Sequence, residues 1–463
     1  MRYSFRVFAA IYGHQVVEKA SCDTICCCYG TPASSEPGVA HISIPTRYRL
    51  PQRSQPSARP AQHRFADEDF PLFFGVDDRT GQPDWLGEIF EWLSSSQEMS
   101  STQRDAVGRI PLSETPFTRH GLSPREPHAL KIMAWLEGAL QNGRACELLP
   151  KPASPVSGMR HLLICSHDID FYYTDKASLM VRLLKNLVIA FHIYRSWDFF
   201  RWNVARILKL LLGKTSGAYL PALVDASESH DFQATLFVVS RHLHRRDPNY
   251  SLQEMVPVLL QSRKRGFSIG LHGSYESIIE REELGSEVAP LRDALNEQPQ
   301  GGRQHYLRFD YHENLFSAVE RAGLFYDSTL GFADTVGFRN GASFAFPPYD
   351  FKRERAHNFL EIPLVLMDGG LEATCRSTGE DPGVVAEEVL RASRRWGWGG
   401  VAIDWHNPIE PIQVPPRVND VFWQCLRQKE SYQERWMGGD QFLRACLSRY
   451  QAAGLLEGVR IDA

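Results

Sequence analysis

The chain has no apolar run of eighteen residues anywhere, so no segment is expected to cross a bilayer as a helix. It also lacks a disulfide framework. Nine cysteines in 463 residues are few, unevenly placed and odd in number, which fits a reducing, cytoplasmic setting. Four of them, Cys22, Cys26, Cys27 and Cys28, crowd together without the C-x2-C pairs of a zinc knuckle. They read as small buried hydrophobes of a strand. The opening stretch is interrupted by His14, Glu18 and Lys19 before any small-residue cleavage site, which argues against a secretory signal. An excess of one charge is missing too: Lys+Arg 51 against Asp+Glu 55 leaves −4, so there is no global basic field to hold nucleic acid. Internal repeats are not apparent.

What is present is ordinary globular usage, 43% hydrophobic and 23% charged, in a chain long enough for two or three domains. Residues 34–66 are rich in Pro, Ser, Gln and Arg without sustained period and read as loop or linker. PDWLGEIFEWL then sets Trp85, Ile89, Trp92 and Leu93 at helical spacing, an apolar face best read as core. A second amphipathic helix is expected near 130–140. The Pro/Ser-rich LLPKPASPVSG marks a boundary around 151–158, which separates a smaller α+β N-terminal domain (1–150) from a second domain (159–463). The first offers no residue constellation with a readable chemistry.

After that boundary short apolar runs alternate with helical stretches: 161–165, 234–239, 267–271, 305–309, 359–366 and 399–403. Buried runs of this kind argue for an α/β fold with a parallel sheet, and six or seven such units suggest a barrel, whose chemistry sits at the C-terminal strand ends. The first run ends in SHDID. In extended chain residues two apart share a face, so Asp168 and Asp170 both point into the mouth; a capping pair at a strand-to-helix turn is the alternative. The third ends in LHGSYE, where a helical turn would put His272 and Glu276 on one face as two ligands. Arg303, His305 and Arg308 mark the fourth run, and the last reads Asp404-Trp405-His406-Asn407.

In order, SHDID, ATLFV, LHGSYE, RQHYLRF followed by YDSTLGF, and DWHNP resemble the motifs of the polysaccharide deacetylase superfamily (NodB-type, carbohydrate esterase family four). PDWLGEIFEWL and AVGRIPLSETPF resemble the N-terminal part of its branch associated with bacterial surface polysaccharides. The resemblance implies a distorted (β/α)7 barrel behind the N-terminal domain, and a metal-dependent hydrolase that removes an N-acetyl or O-acyl group from a bacterial glycan such as an exopolysaccharide or a lipid-linked precursor. It implies Asp168 as general base, His406 as general acid, and Asp170 and His272 as ligands of a divalent metal, Zn2+ or a similar ion such as Co2+. Glu276 stands where the family has its second metal histidine, and a carboxylate there lowers the net charge of the site. His305, on the next strand, is the other available donor. Arg303 or Arg339 would orient Asp168, and Trp405 either stacks on a sugar ring or belongs to the barrel-rim core. Two other functions stay open: hydrolysis of another carbon–nitrogen bond on the same fold, and glycan binding without catalysis.

The near-neutral total conceals one imbalance. Residues 176–214 carry eight Lys or Arg against a single acid, Asp198, for +7, which leaves −11 for the remainder. Leu, Ile, Phe and Trp recur between the bases at helical spacing, as in a helix that lies on anionic lipid. Helices packed on the barrel with a solvated basic face are the plainer reading. The expected location is cytoplasmic, with possible peripheral contact at the inner face of the membrane through this segment.

Overall fold

The computed structural model describes residues 2–14, 25–29, 40–44, 61–65, 68–74, 83–99, 101–142, 151–173, 175–214, 217–278, 284–309 and 312–460. Nine parallel strands form its main sheet: β1 (His161–Asp168), β2 (Thr235–Val238), β3 (Ser268–Gly273), β4 (Gly301–Gln304), β5 (Tyr326–Asp327), β6 (Leu360–Glu361), β7 (Leu364–Met367), β8 (Gly399–Asp404) and β9 (Glu434–Met437). β1 to β5 pair in succession, β6 pairs with β5, β7 with β8, and β8 returns to β1. β6 and β7 are two pieces of one extended stretch interrupted at Pro363, which has no N–H for a ladder. The first piece pairs backwards with β5 and the second forwards with β8, so the sheet closes as a distorted seven-membered barrel, with β9 added along the first half of β1.

The barrel is filled rather than hollow. Gly270 and Gly301 make room for two rings: a Cβ at Gly270 would lie 2.6 Å from the Phe237 ring, and one at Gly301 2.0 Å from that of Tyr326. Phe237 and Tyr326 are fully buried and form an apolar floor beneath the C-terminal strand ends. β8 begins on Gly399 and Gly400, at φ +79° and +89°, where its register against β1 shifts by a bulge. Left-handed backbone of this kind favours glycine.

Helices Arg2–Tyr12, Trp85–Leu93 and His128–Asn142 lie against the barrel, and their buried side chains are continuous with its core. Trp398 Nε1 donates to the Ile11 carbonyl (3.1 Å), and Arg125 reaches Glu380 and Glu388 at 2.7 and 2.6 Å. Of the cysteines near the start, Cys22 lies outside the described residues. Cys26, Cys27 and Cys28 fall in a strand, Ile25–Tyr29, that pairs with Ala40–Ile44. Most of 34–66 is outside the described residues.

One strand is displaced from its expected place. The extended segment is Gly301–Gln304, and 305–309 is a tight turn in which Tyr306 and Leu307 take φ +62° and +51°. The apolar letters fell in the turn, while Gly301 and Gly302 made the strand: the Tyr326 ring occupies the space a side chain at 301 would need, and Leu324 crowds 302. His305 is thereby moved to a strand end.

Candidate active site

Two clusters of acids and imidazoles meet at the mouth of the barrel, Asp170 with His272 and His305, and Asp168 with Asp404 and His406. β3 and β4 pair with His272 opposite Arg303. His305, one residue past β4, therefore lands beside His272, ring centroids 4.9 Å apart and edge to face. Three donor atoms converge: His272 Nε2 is 3.4 Å and His305 Nδ1 3.2 Å from Asp170 Oδ1, with 3.0 Å between the two nitrogens. The edges of a tetrahedron around a cation with bonds of ~2.0–2.1 Å are about 3.3 Å long.

The far side of each ring fixes its tautomer. His272 Nδ1 lies 3.0 Å from the Arg303 carbonyl and His305 Nε2 3.0 Å from the Arg246 carbonyl. Carbonyls only accept, so those nitrogens carry the protons, and the facing pair are lone pairs that repel unless a proton or a metal cation lies between them. Asp170 Oδ1 is buried and accepts no hydrogen bond. Burial pushes the Asp170 carboxyl up, but the His305 and His272 imidazoles outweigh this and hold it well below the usual range. The donor set and its locked tautomers fit a divalent metal.

Glu276 is not among the converging donors. The shared face expected for residues 272 and 276 required a helical turn, but His272 is in β3 and the chain then enters a tight turn. That turn is pinned by Ser274 N on Glu287 Oε2 and Tyr275 N on Asp247 Oδ1, both 2.8 Å. His305 fills the place assigned to the carboxylate.

Arg303 organises the second cluster. Its guanidinium is fully buried over the Phe237 ring and donates from one nitrogen to Asp168 Oδ1 and Asp404 Oδ1, both at 2.8 Å. One cation between two buried carboxylates divides them. Burial raises both, but Arg303 and the nearby imidazoles bring the Asp168 carboxyl below its usual range. For Asp404, burial and the Asp168 charge prevail and push it well above. The surroundings thus favour the charged form of Asp168 and disfavour that of Asp404. Asp168 Oδ2 also lies 3.8 Å from His272 Nε2, which sets the carboxylate against the three-donor face.

His406 stands across the mouth. Its Nδ1 donates to Asp368 Oδ1 (2.8 Å), its backbone N–H to Asp368 Oδ2 (3.1 Å), and its Nε2 faces Asp170 Oδ2 at 3.4 Å. Burial disfavours the imidazolium, but Asp368 and Asp170 outweigh it and raise the pKa well above the usual value. Asp368 follows β7 directly and opens the helix Asp368–Thr378. Asp368 was not singled out from the sequence and Asp404 was named there without a role, although both stand at strand ends, where the barrel rule points.

Two expected site residues belong elsewhere. Arg339 pairs with Glu98 at 2.7 Å and donates to the Gly331 carbonyl, so it ties an N-terminal helix to the barrel and leaves Asp168 to Arg303. Trp405 is fully buried against Phe422 and presents no face to a sugar. The exposed aromatic at the mouth is Tyr306, 42% accessible, with its ring edge to face on His305 at 4.5 Å.

No family model matches the chain, and no curated protein does. Among solved structures, PuuE allantoinase is similar over 64% of this chain and 94% of its own, at 14% identity and a TM-score of 0.40. A protein from Bordetella bronchiseptica described as a polysaccharide deacetylase involved in O-antigen biosynthesis is similar over 63% of this chain and 92% of its own, at 14% identity and a TM-score of 0.31. The peptidoglycan deacetylase PdaC from Bacillus subtilis is similar over 64% and 95%, at 9% identity and a TM-score of 0.29.

Proposed function

We propose that the chain is a metal-dependent hydrolase that removes an acyl group, N-acetyl or O-acyl, from a bacterial glycan. The observation that carries this is the three-donor face of Asp170, His272 and His305, flanked by a carboxylate held by Arg303 on one side and an imidazole held by Asp368 on the other. A divalent cation on that face, Zn2+ or Co2+, would polarise the acyl oxygen and acidify water. The residues supply the rest. Asp168, kept ionised by Arg303, takes the proton of the attacking water. His406, kept as imidazolium by Asp368, gives its proton to the departing amine or alcohol, so that the oxygen–carbon bond forms as the carbon–nitrogen or carbon–oxygen bond breaks. Two proton-transfer groups of opposite state, set on either side of a cation face, suit acyl transfer to water better than sugar binding alone. The resemblance of SHDID, RQHYLRF and YDSTLGF to the polysaccharide deacetylases supports the glycan as substrate class.

The test is acetate release from N-acetylglucosamine oligomers by purified protein loaded with Zn2+ or Co2+. Asp168→Asn and His406→Ala are each expected to cut the rate by about 10²–10⁴, the usual worth of a general base or acid. Unchanged release by Asp168→Asn would remove the site from the reaction. A metal-loaded protein that binds the oligomers without releasing acetate would leave the binding reading.

A further inference from the structure

The basic segment folds as a helical hairpin, α1 (Lys176–His192) and α2 (Trp197–Leu211), capped by the side chains of Asp175 and Ser196. Its inner face, with Leu179, Leu183, Phe199 and Leu210, is buried. Asn186 Nδ2 donates to the Ile412 carbonyl (2.9 Å) and Trp202 Nε1 to that of Pro411 (3.2 Å), which fastens the hairpin to the loop that follows His406. The outer face is apolar as well. Nine of the twelve large apolar side chains exposed among the described residues lie on this hairpin, with Val188 at 59%, Trp197 at 61%, Leu211 at 69% and Leu212 at 68%. Trp197 and Phe200 stack at 5.0 Å and Phe191 packs against both, so part of the surface is an aromatic cluster. Around it Lys176, Lys185, Arg195, Arg201, Lys209 and Lys214 are all exposed. Arg182 and Arg206, the other two bases, turn inward, to the Phe171 ring and to Glu410.

We propose that this hairpin is a membrane-docking element whose outer face lies in the interfacial region of an anionic bilayer. A contiguous exposed apolar surface of this kind is uncommon on a protein that meets only water. The ring of bases selects the occupant. Pairing with a second copy would bring six cations against six, with only Asp198 and the capping Asp175 to offset them, whereas anionic headgroups match both the charge and the apolar centre. No helix among the described residues is long and apolar enough to cross a membrane, so contact is with one leaflet. This inference stands on the hairpin alone and holds whether or not the barrel hydrolyses an acyl group.

Flotation of the full chain with phosphatidylcholine vesicles, with and without about a third phosphatidylglycerol, tests it. The protein is expected to float with the anionic vesicles and stay behind with the neutral ones. Charge near an anionic surface is worth about fivefold per residue in partitioning, so Lys185→Glu, Arg201→Glu and Lys209→Glu together should weaken binding about a hundredfold or more. Trp197→Ser with Leu211→Ser and Leu212→Ser should abolish flotation at moderate salt. All six positions are exposed, and thermal melts matching the parent would show that both triple variants fold. Absence of flotation with anionic vesicles overturns the proposal, as does an apolar triple that floats like the parent. A concentration-dependent dimer that the apolar triple dissolves would assign the face to a second copy instead.

Discussion

One guanidinium serves two buried carboxylates, Asp168 and Asp404, whose pKa values shift in opposite directions. Residue types alone could not reveal this, because it depends on how burial, Arg303 and two imidazoles, His272 and His406, are shared between the two acids. Asp168, Asp170, His272 and His406 were legible from the sequence as acids and histidines at strand ends. Glu276 misled, because four-residue spacing has meaning only on a helix and the chain there is a strand end and a turn. The substitution of His305 for Glu276 as third donor has a direct consequence. His305→Ala should lose bound Zn2+ as completely as His272→Ala, from one equivalent to none by elemental mass spectrometry, while Glu276→Gln should retain it. Retention by His305→Ala with loss in Glu276→Gln would reverse the assignment.

Among the elements, the long buried runs of β1, β3 and β8 were readable because continuous apolar letters are what a strand covered on both faces requires. β4 was not, since its first residue, Gly301, yields space to the Tyr326 ring of the next strand. β9 was missed as well, being short and polar at its start. It is held to β1 partly through charge: Glu434 Oε2 lies 2.6 Å from His161 Nδ1 and 3.1 Å from Arg394 Nε, with the carboxylate wholly inaccessible. Burial pushes this carboxyl up, but His161 and Arg394 outweigh it and bring it from the usual 4.5 to about 2. A depressed carboxylate stabilises the fold fully above pH 4.5 and loses that contribution as pH falls through 2. Glu434→Gln should therefore cost about 3–5 kcal/mol at neutral pH, the usual penalty for stranding half of a buried pair. The gap to the parent should narrow steadily below pH 4.5, as urea unfolding at several pH values would show.

At the scale of the whole molecule, the composition averages hid the two features that matter most, the basic hairpin and the dependence of the barrel on the N-terminal elements. The helix Arg2–Tyr12 buries Tyr3, Val7, Phe8 and Ile11 in the shared core and accepts the indole N–H of Trp398. Nothing in its own letters distinguishes packing on a remote barrel from packing within a separate domain, so its role was not legible. Deleting residues 1–14 should remove more than about 5 kcal/mol of burial and lower the melting temperature by about 5 °C or more. A barrel that melts unchanged without them would show that it is self-sufficient. The apolar floor of Phe237 and Tyr326 has a further bearing on traffic. With these rings buried in the barrel, its clusters of acids and imidazoles can be reached from the mouth alone. Anything bound at the strand ends would therefore meet solvent on one side alone.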